Sequence, residues 1–116
     1  MPNSQAGLTP AMFHVLLALA DGDKHGYAIL KEVGEHSGGE VHLSTGTLYG
    51  VIKRLLEEGL IVELTGRHAP EHDDQRRRYY RLTGDGRAVA VEETRRLEKL
   101  LARARSKRLL QVLRGA

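Results

Sequence analysis

The chain has 116 residues, carries 18 Lys plus Arg against 15 Asp plus Glu, and contains no cysteine; one compact domain is predicted, and disulfide scaffolds, thiolate zinc fingers and thiol nucleophiles are excluded. Apolar residues make up 41% and charged residues 28%, a globular composition. The opening MPNSQAG has no basic cluster ahead of an apolar stretch, and the longest apolar run, Val15 to Ala20, falls far short of the roughly 18 residues of a membrane span, so a cytoplasmic protein that is neither exported nor membrane-spanning is expected.

Residues 1–7 read as a flexible N-terminus. Over residues 8–20, Thr9 is a good N-cap, Pro10 suits the first helical position, and the continuous apolar stretch that follows predicts a buried first helix. Asp21-Gly22-Asp23 breaks it. Residues 25–37 resume with Tyr27, Ile29, Leu30 and Val33 apolar and Lys31, Glu32 and Glu35 polar between them, a second, amphipathic helix that ends at Gly38-Gly39. Ser44 caps a third helix, Thr45 to Glu58, with Leu48, Val51, Ile52, Leu55 and Leu56 on one face and Gly46, Thr47, Gly50, Lys53, Arg54 and Glu57 on the other. Gly59 closes it. Leu60 to Leu64 and Arg76 to Leu82 read as two strands of a hairpin, Tyr80 and Leu82 sharing a face, with Thr65 to Gln75 as a long polar tip. Thr83 caps a last helix, which runs proline-free from Arg87 to about Leu113, with Gly115 past its end.

Three helices, a hairpin and a long helix, in that order, match an α+β, mostly α, winged helix-turn-helix, in which the third helix reads DNA and the hairpin is the wing. The residues sharpen the match. Leu16-Leu17-Ala18-Leu19, His25-Gly26-Tyr27-Ala28-Ile29-Leu30, Gly46-Thr47-Leu48-Tyr49, Arg54-Leu55-Leu56-Glu57-Glu58-Gly59-Leu60-Ile61 and Arg78-Tyr79-Tyr80-Arg81-Leu82-Thr83 closely resemble the PadR family of transcriptional regulators, over roughly residues 8–113. The resemblance implies a winged helix-turn-helix DNA-binding domain over 8–83 and a C-terminal dimerisation helix over 84–116, as in the short-tailed subgroup. It also implies a homodimer that binds double-stranded DNA sequence-specifically, usually as a repressor.

A third helix lying in a major groove presents its N-terminal residues first, which selects Ser44, Thr45, Gly46 and Thr47, with Gly50 one turn on. Tyr49 matches the family's GTLY tyrosine, whose hydroxyl can reach a phosphate, and Lys53 and Arg54 can neutralise phosphates further along. The blander reading leaves Ser44 capping, Tyr49 packing and the two cations solvated. On the wing, Arg67 and His68 lead out and Arg76, Arg77 and Arg78 return, placed to grip a minor groove or backbone, while Glu71, Asp73 and Asp74 repel phosphate from the tip. Along the last helix Leu97, Leu100, Leu101 and Ala104 form one stripe that a partner helix would cover. Charge is uneven, with 10 basic against 14 acidic residues over 1–94 and 8 against 1 over 95–116. The basic residues of this tail read first as a solvated surround to the apolar seam.

The competing classes are weaker. His68, Glu71, His72, Asp73 and Asp74 crowd the wing, but no fixed element holds them, and neither a metal site nor a cofactor is assigned. No glycine-rich phosphate loop, catalytic triad or paired carboxylates in a cleft are present, so no enzyme is predicted. A winged-helix module serving protein partners instead of DNA would show a neutral or apolar third-helix face, against which Lys53, Arg54 and the wing arginines argue. Some relatives sense flat hydrophobic compounds between subunits, in part through a tryptophan. This chain has no Trp and one Phe, Phe13, which leaves a small hydrophobic effector near Phe13 and the Leu97 stripe as an open option.

Overall fold

The structure is a computed structural model, and it describes residues 8–41, 43–64 and 78–110. Helix α1 (Pro10–Leu19) starts where Thr9 Oγ1 accepts from the Met12 amide at 3.1 Å, with Pro10 in the first turn. Met12, Val15, Leu16, Ala18 and Leu19 are buried, whereas Leu17 is exposed and Phe13 and His14 are half-buried. The remaining elements are β1 (Lys24–His25), α2 (Gly26–His36), α3 (Thr45–Glu57), β2 (Ile61–Leu64), β3 (Tyr79–Leu82) and α4 (Gly84–Ser106). Together they make an α+β winged helix: α2, a turn and α3, followed by the β2–β3 wing.

Three findings depart from the sequence reading. His25 lies outside the second helix. Together with Lys24 it forms a two-residue strand, too short to carry any periodicity, that exists because it pairs with β3 (Lys24↔Tyr80, His25↔Tyr79). The sheet order is therefore β1-β3-β2, all antiparallel. His25 also caps α2, its Nδ1 accepting from the Ala28 amide at 3.2 Å.

The second departure concerns β3. As the central strand it buries both Tyr79 and Tyr80, while Leu82 is only half-buried. Tyr79 is covered by the His25 ring, edge-on at 5.3 Å, and burial, with Glu63 and Tyr49 nearby, pushes the Tyr80 phenol up to about 12.

The third is the length of α4, which stops at Ser106, well short of Leu113. Arg108 takes a left-handed conformation (φ 62°), and the Leu109 and Arg108 amides bond back to the Ala104 and Arg105 carbonyls, both at 2.9 Å. This is the same closure that Gly59 (φ 73°) gives α3, through Leu60 to Leu55 and Gly59 to Leu56. An arginine there costs about 1 kcal/mol and leaves no signal in the sequence. Leu113 itself lies outside the described residues, as does 1–7.

Helix α4 is anchored to the wing root by Thr83. Its amide donates to the Leu60 carbonyl at 3.1 Å, its hydroxyl donates to the Gly59 carbonyl at 2.7 Å, and the Gly86 amide caps back onto that hydroxyl at 2.9 Å. Gly86 is buried against the Leu60 carbonyl. Further ties join α1 to the sheet and to α4. Arg87 donates to the Ala20 carbonyl at 2.9 Å, Arg81 forks onto Asp23 at 3.1 and 2.9 Å, and Lys24 binds the Ala18 carbonyl and Asp21. Ala90 and Glu93 are the last buried residues of α4. The Arg96 guanidinium forks onto Glu93 at 2.7 and 2.6 Å and holds that carboxyl below the usual carboxylate range. Beyond them Leu97, Leu100 and Leu101 are exposed and Ala104 is half-buried, all four on one stripe.

Candidate nucleic-acid interface

Helix α3 divides cleanly. Leu48, Ile52 and Leu55 are buried against α1 and the sheet, while Ser44, Thr45, Gly46, Thr47, Tyr49, Gly50, Lys53 and Arg54 are exposed. At its start Ser44 Oγ accepts from the Thr47 amide at 3.1 Å and donates to Thr47 Oγ1 at 2.9 Å. The two hydroxyls are thereby held together at the point that would enter a groove first. Ser44 is a cap and remains a surface hydroxyl as well.

Gly46 and Gly50 carry the most information. A glycine inside a helix costs about 1 kcal/mol relative to alanine. A Cβ built at either position would meet nothing within 4 Å, so the fold of this chain gives no reason for the missing side chains. Four residues apart, the two lie on one exposed face and leave a smooth strip of backbone that a second molecule can approach closely.

The predicted cations behave differently from one another. Lys53 is exposed and makes no ion pair with any described residue, whereas Arg54 Nε donates to Glu58 at 3.0 Å, one turn on. An Arg54 contact with phosphate would have to compete with that carboxylate. Arg78, just ahead of β3 at the end of the hairpin away from the Thr83 root, is exposed and 3.8 Å from Glu63. The remaining wing candidates, Arg67, His68, Arg76 and Arg77, and the cluster of Glu71, His72, Asp73 and Asp74, lie outside the described residues. Among the described residues no group of three or more His, Asp or Glu could hold a metal ion, and no helix is long and apolar enough to cross a membrane.

One feature of the site escaped the sequence reading. Tyr27 counts by type among the apolar positions of the second helix, but α2 buries Gly26, Ile29 and Val33, and Tyr27 lies off that face, 67% exposed. The neighbouring Gly26 is buried because the Tyr49 hydroxyl lies across it; a Cβ there would stand 2.5 Å from that oxygen. Tyr49 thus joins the first turn of α2 to the N-terminal half of α3. The His25-Gly26-Tyr27 motif was the available signal, its glycine marking a close approach.

The family model described as the transcriptional regulator PadR-like family matches residues 15–92, from α1 through the wing and into α4. This chain belongs to that family. Its similarity to the transcriptional regulator Rv3488 of Mycobacterium tuberculosis is 37% identity over 87 residues, covering 75% of both chains. A PadR family transcription regulator from Clostridium difficile superposes with a TM-score of 0.71 at 25% identity, over 84% of this chain and 97% of that one. BpsR of Bordetella bronchiseptica, whose DNA binding is regulated by 6-hydroxynicotinic acid, superposes with a TM-score of 0.64 at 29% identity, over 88% of this chain and 67% of its own. In this PadR-like regulator the matched segment contains all of α3, and the exposed leucine stripe of α4 lies beyond it.

Proposed function

We propose that this PadR-like regulator acts in the cytoplasm as a homodimeric repressor that binds a pseudo-palindromic operator in double-stranded DNA. Residues 8–83 form the DNA-binding domain, and the segment 84–116, which contains α4, carries dimerisation. The carrying observation is the exposed face of α3, where two glycines that the fold does not require stand among Ser44, Thr45, Thr47, Tyr49 and Lys53. Such a face suits a groove: short hydroxyl side chains reach base edges and the flanking lysine neutralises phosphate. On the wing, Arg67, Arg76 and Arg77 add backbone contacts. Leu97, Leu100, Leu101 and Ala104 form the seam between subunits, which sets the two recognition helices about one DNA turn apart. A small hydrophobic effector bound between the subunits would release the dimer from DNA; BpsR gives a precedent only for control of DNA binding by a small molecule.

Base contacts and phosphate contacts leave different signatures. Thr47→Ala is expected to lower affinity for a selected operator about tenfold with little change on scrambled duplex. Lys53→Ala should weaken binding to both and reduce the slope of log affinity against log salt by about one. Titrations of labelled duplexes followed by fluorescence anisotropy measure both. If neither substitution changes binding to a duplex that the wild-type chain selects, α3 is not the reading element.

A further inference from the structure

We propose that four exposed cations along α4, Arg95, Lys99, Arg103 and Lys107, bind the phosphate backbone of a second DNA segment, so that one regulator joins two duplexes. This second site rests on the DNA-binding reading above, and it lies wholly beyond the segment that matches the family model, residues 15–92.

The four cations recur every fourth residue, the first three within α4 and Lys107 at its C-cap. They form an inclined ridge about 18 Å long, with one charge about every 6 Å along the axis. All four are exposed, and none makes an ion pair with any described residue. Between residues 95 and 110 seven Lys and Arg stand against one acidic residue, Glu98. Like charges one turn apart weaken a helix, and Arg95 with Lys99, Lys99 with Arg103 and Arg103 with Lys107 repeat that penalty three times. The helix dipole compensates Arg103 and Lys107, in and just past the last turn, but reaches neither Arg95 nor Lys99. A helix face that only meets water is better served by alternating signs.

A second subunit does not neutralise the ridge. Packed on the leucine stripe about a two-fold axis, it brings the same stretch of α4 to the seam, again seven cations with one carboxylate. A lipid surface suits the ridge poorly, because an interfacial helix inserts its apolar face, and Leu97, Leu100 and Leu101 are committed to the seam proposed above. An evenly spaced row of positive charge with no large apolar side chain in it matches a strand of phosphates.

The ridge stands apart from the reading face. Thr83 and Gly86 fix the start of α4 on Gly59 and Leu60, just past the C-terminal end of α3, whereas Ser44, Thr47 and Tyr49 lie toward its N-terminal end. From that anchor α4 packs on α1. The ridge opens at Arg95, nine residues past Gly86 and about 14 Å along the helix. A duplex held by α3 and the wing therefore leaves the ridge free for another segment.

The test uses the full chain and a bead-bound duplex carrying a site that the chain selects from a random pool; the readout is capture of a labelled second duplex across a salt series. Joint replacement Arg95→Gln, Lys99→Gln and Arg103→Gln is expected to cut capture at least about tenfold and to lower its salt slope by about three, with affinity for one short selected duplex changed less than about twofold. Removing like-charge repulsion should leave the melting temperature at or above the wild-type value. Glu98→Gln should increase capture, an effect that loss of structure would not produce. Wild-type capture by the triple variant would overturn the bridging site. Equal losses in capture and in single-duplex affinity would overturn it too, by making the ridge part of the α3 interface. Flotation with phosphatidylglycerol vesicles that the triple variant loses, with capture unchanged, would assign the ridge to lipid instead. A wild-type chain that binds its selected duplex but captures no second one would overturn the bridge and leave the α3 reading standing, whereas one that binds no duplex would overturn both.

Discussion

Replacing Gly86 with alanine is expected to destabilise the fold by about 3 kcal/mol and to lower the melting temperature by roughly 10 °C. The added Cβ would fall far inside contact distance of the Leu60 carbonyl oxygen and 2.8 Å from Leu82 Cδ1. The carbonyl cannot swing aside, because it accepts from the Thr83 amide at the wing root. The clash must therefore shift the start of α4 as a unit. Gly84, two residues earlier in the same helix, is the control. A Cβ there meets nothing within 4 Å, so Gly84→Ala should be neutral or stabilising by about 0.5 kcal/mol. Thermal unfolding followed by circular dichroism, at one fixed protein concentration, compares the two. Equal melting temperatures would show that α4 does not depend on this close approach.

The second large effect is expected on assembly. Leu101 is 39% exposed in the single chain and lies on a stripe with Leu97, Leu100 and Ala104 past the last buried residue of α4. An aspartate there perturbs little within one subunit but would bury a charge in any subunit interface formed by the stripe. Leu101→Asp should therefore sediment as a folded monomer at micromolar concentration. It should also lose at least about a hundredfold in operator affinity, because two linked half-site contacts become independent. Lys99→Ala, on another face of the same helix, should remain dimeric. A Leu101→Asp protein that is still a dimer at that concentration would move the seam elsewhere.

Much of this fold was legible because the signals are local. Thr9 and Ser44 cap helices through their own hydroxyls, and Gly59 takes the left-handed turn that its type favours. The two faces of α3 follow from helical spacing alone. What was hidden is tertiary. Strand β1 is two residues long and exists only by pairing with Tyr79 and Tyr80, and the burial of both tyrosines follows from β3 becoming a central strand. The stop at Arg108 uses a residue with no preference for that conformation. Tyr27 looked apolar by type, and only the packing of α2 through Gly26, Ile29 and Val33 turns it outward. The Arg54–Glu58 pair stood in plain view at i and i+4, yet its competition with a phosphate contact becomes concrete only with the 3.0 Å geometry.

In the proposed regulator the exposed face of α3, presented twice by a dimer, reads a DNA sequence. The most direct measurement selects binding sites from a random duplex pool, then compares affinity for the winner with that for a scrambled duplex across a salt series. A palindromic winner is expected, with half-sites about one helical turn apart, bound about a thousandfold tighter than the control, with log affinity falling linearly as log salt rises. Failure to enrich any sequence, with only weak binding that vanishes by physiological salt, would contradict it.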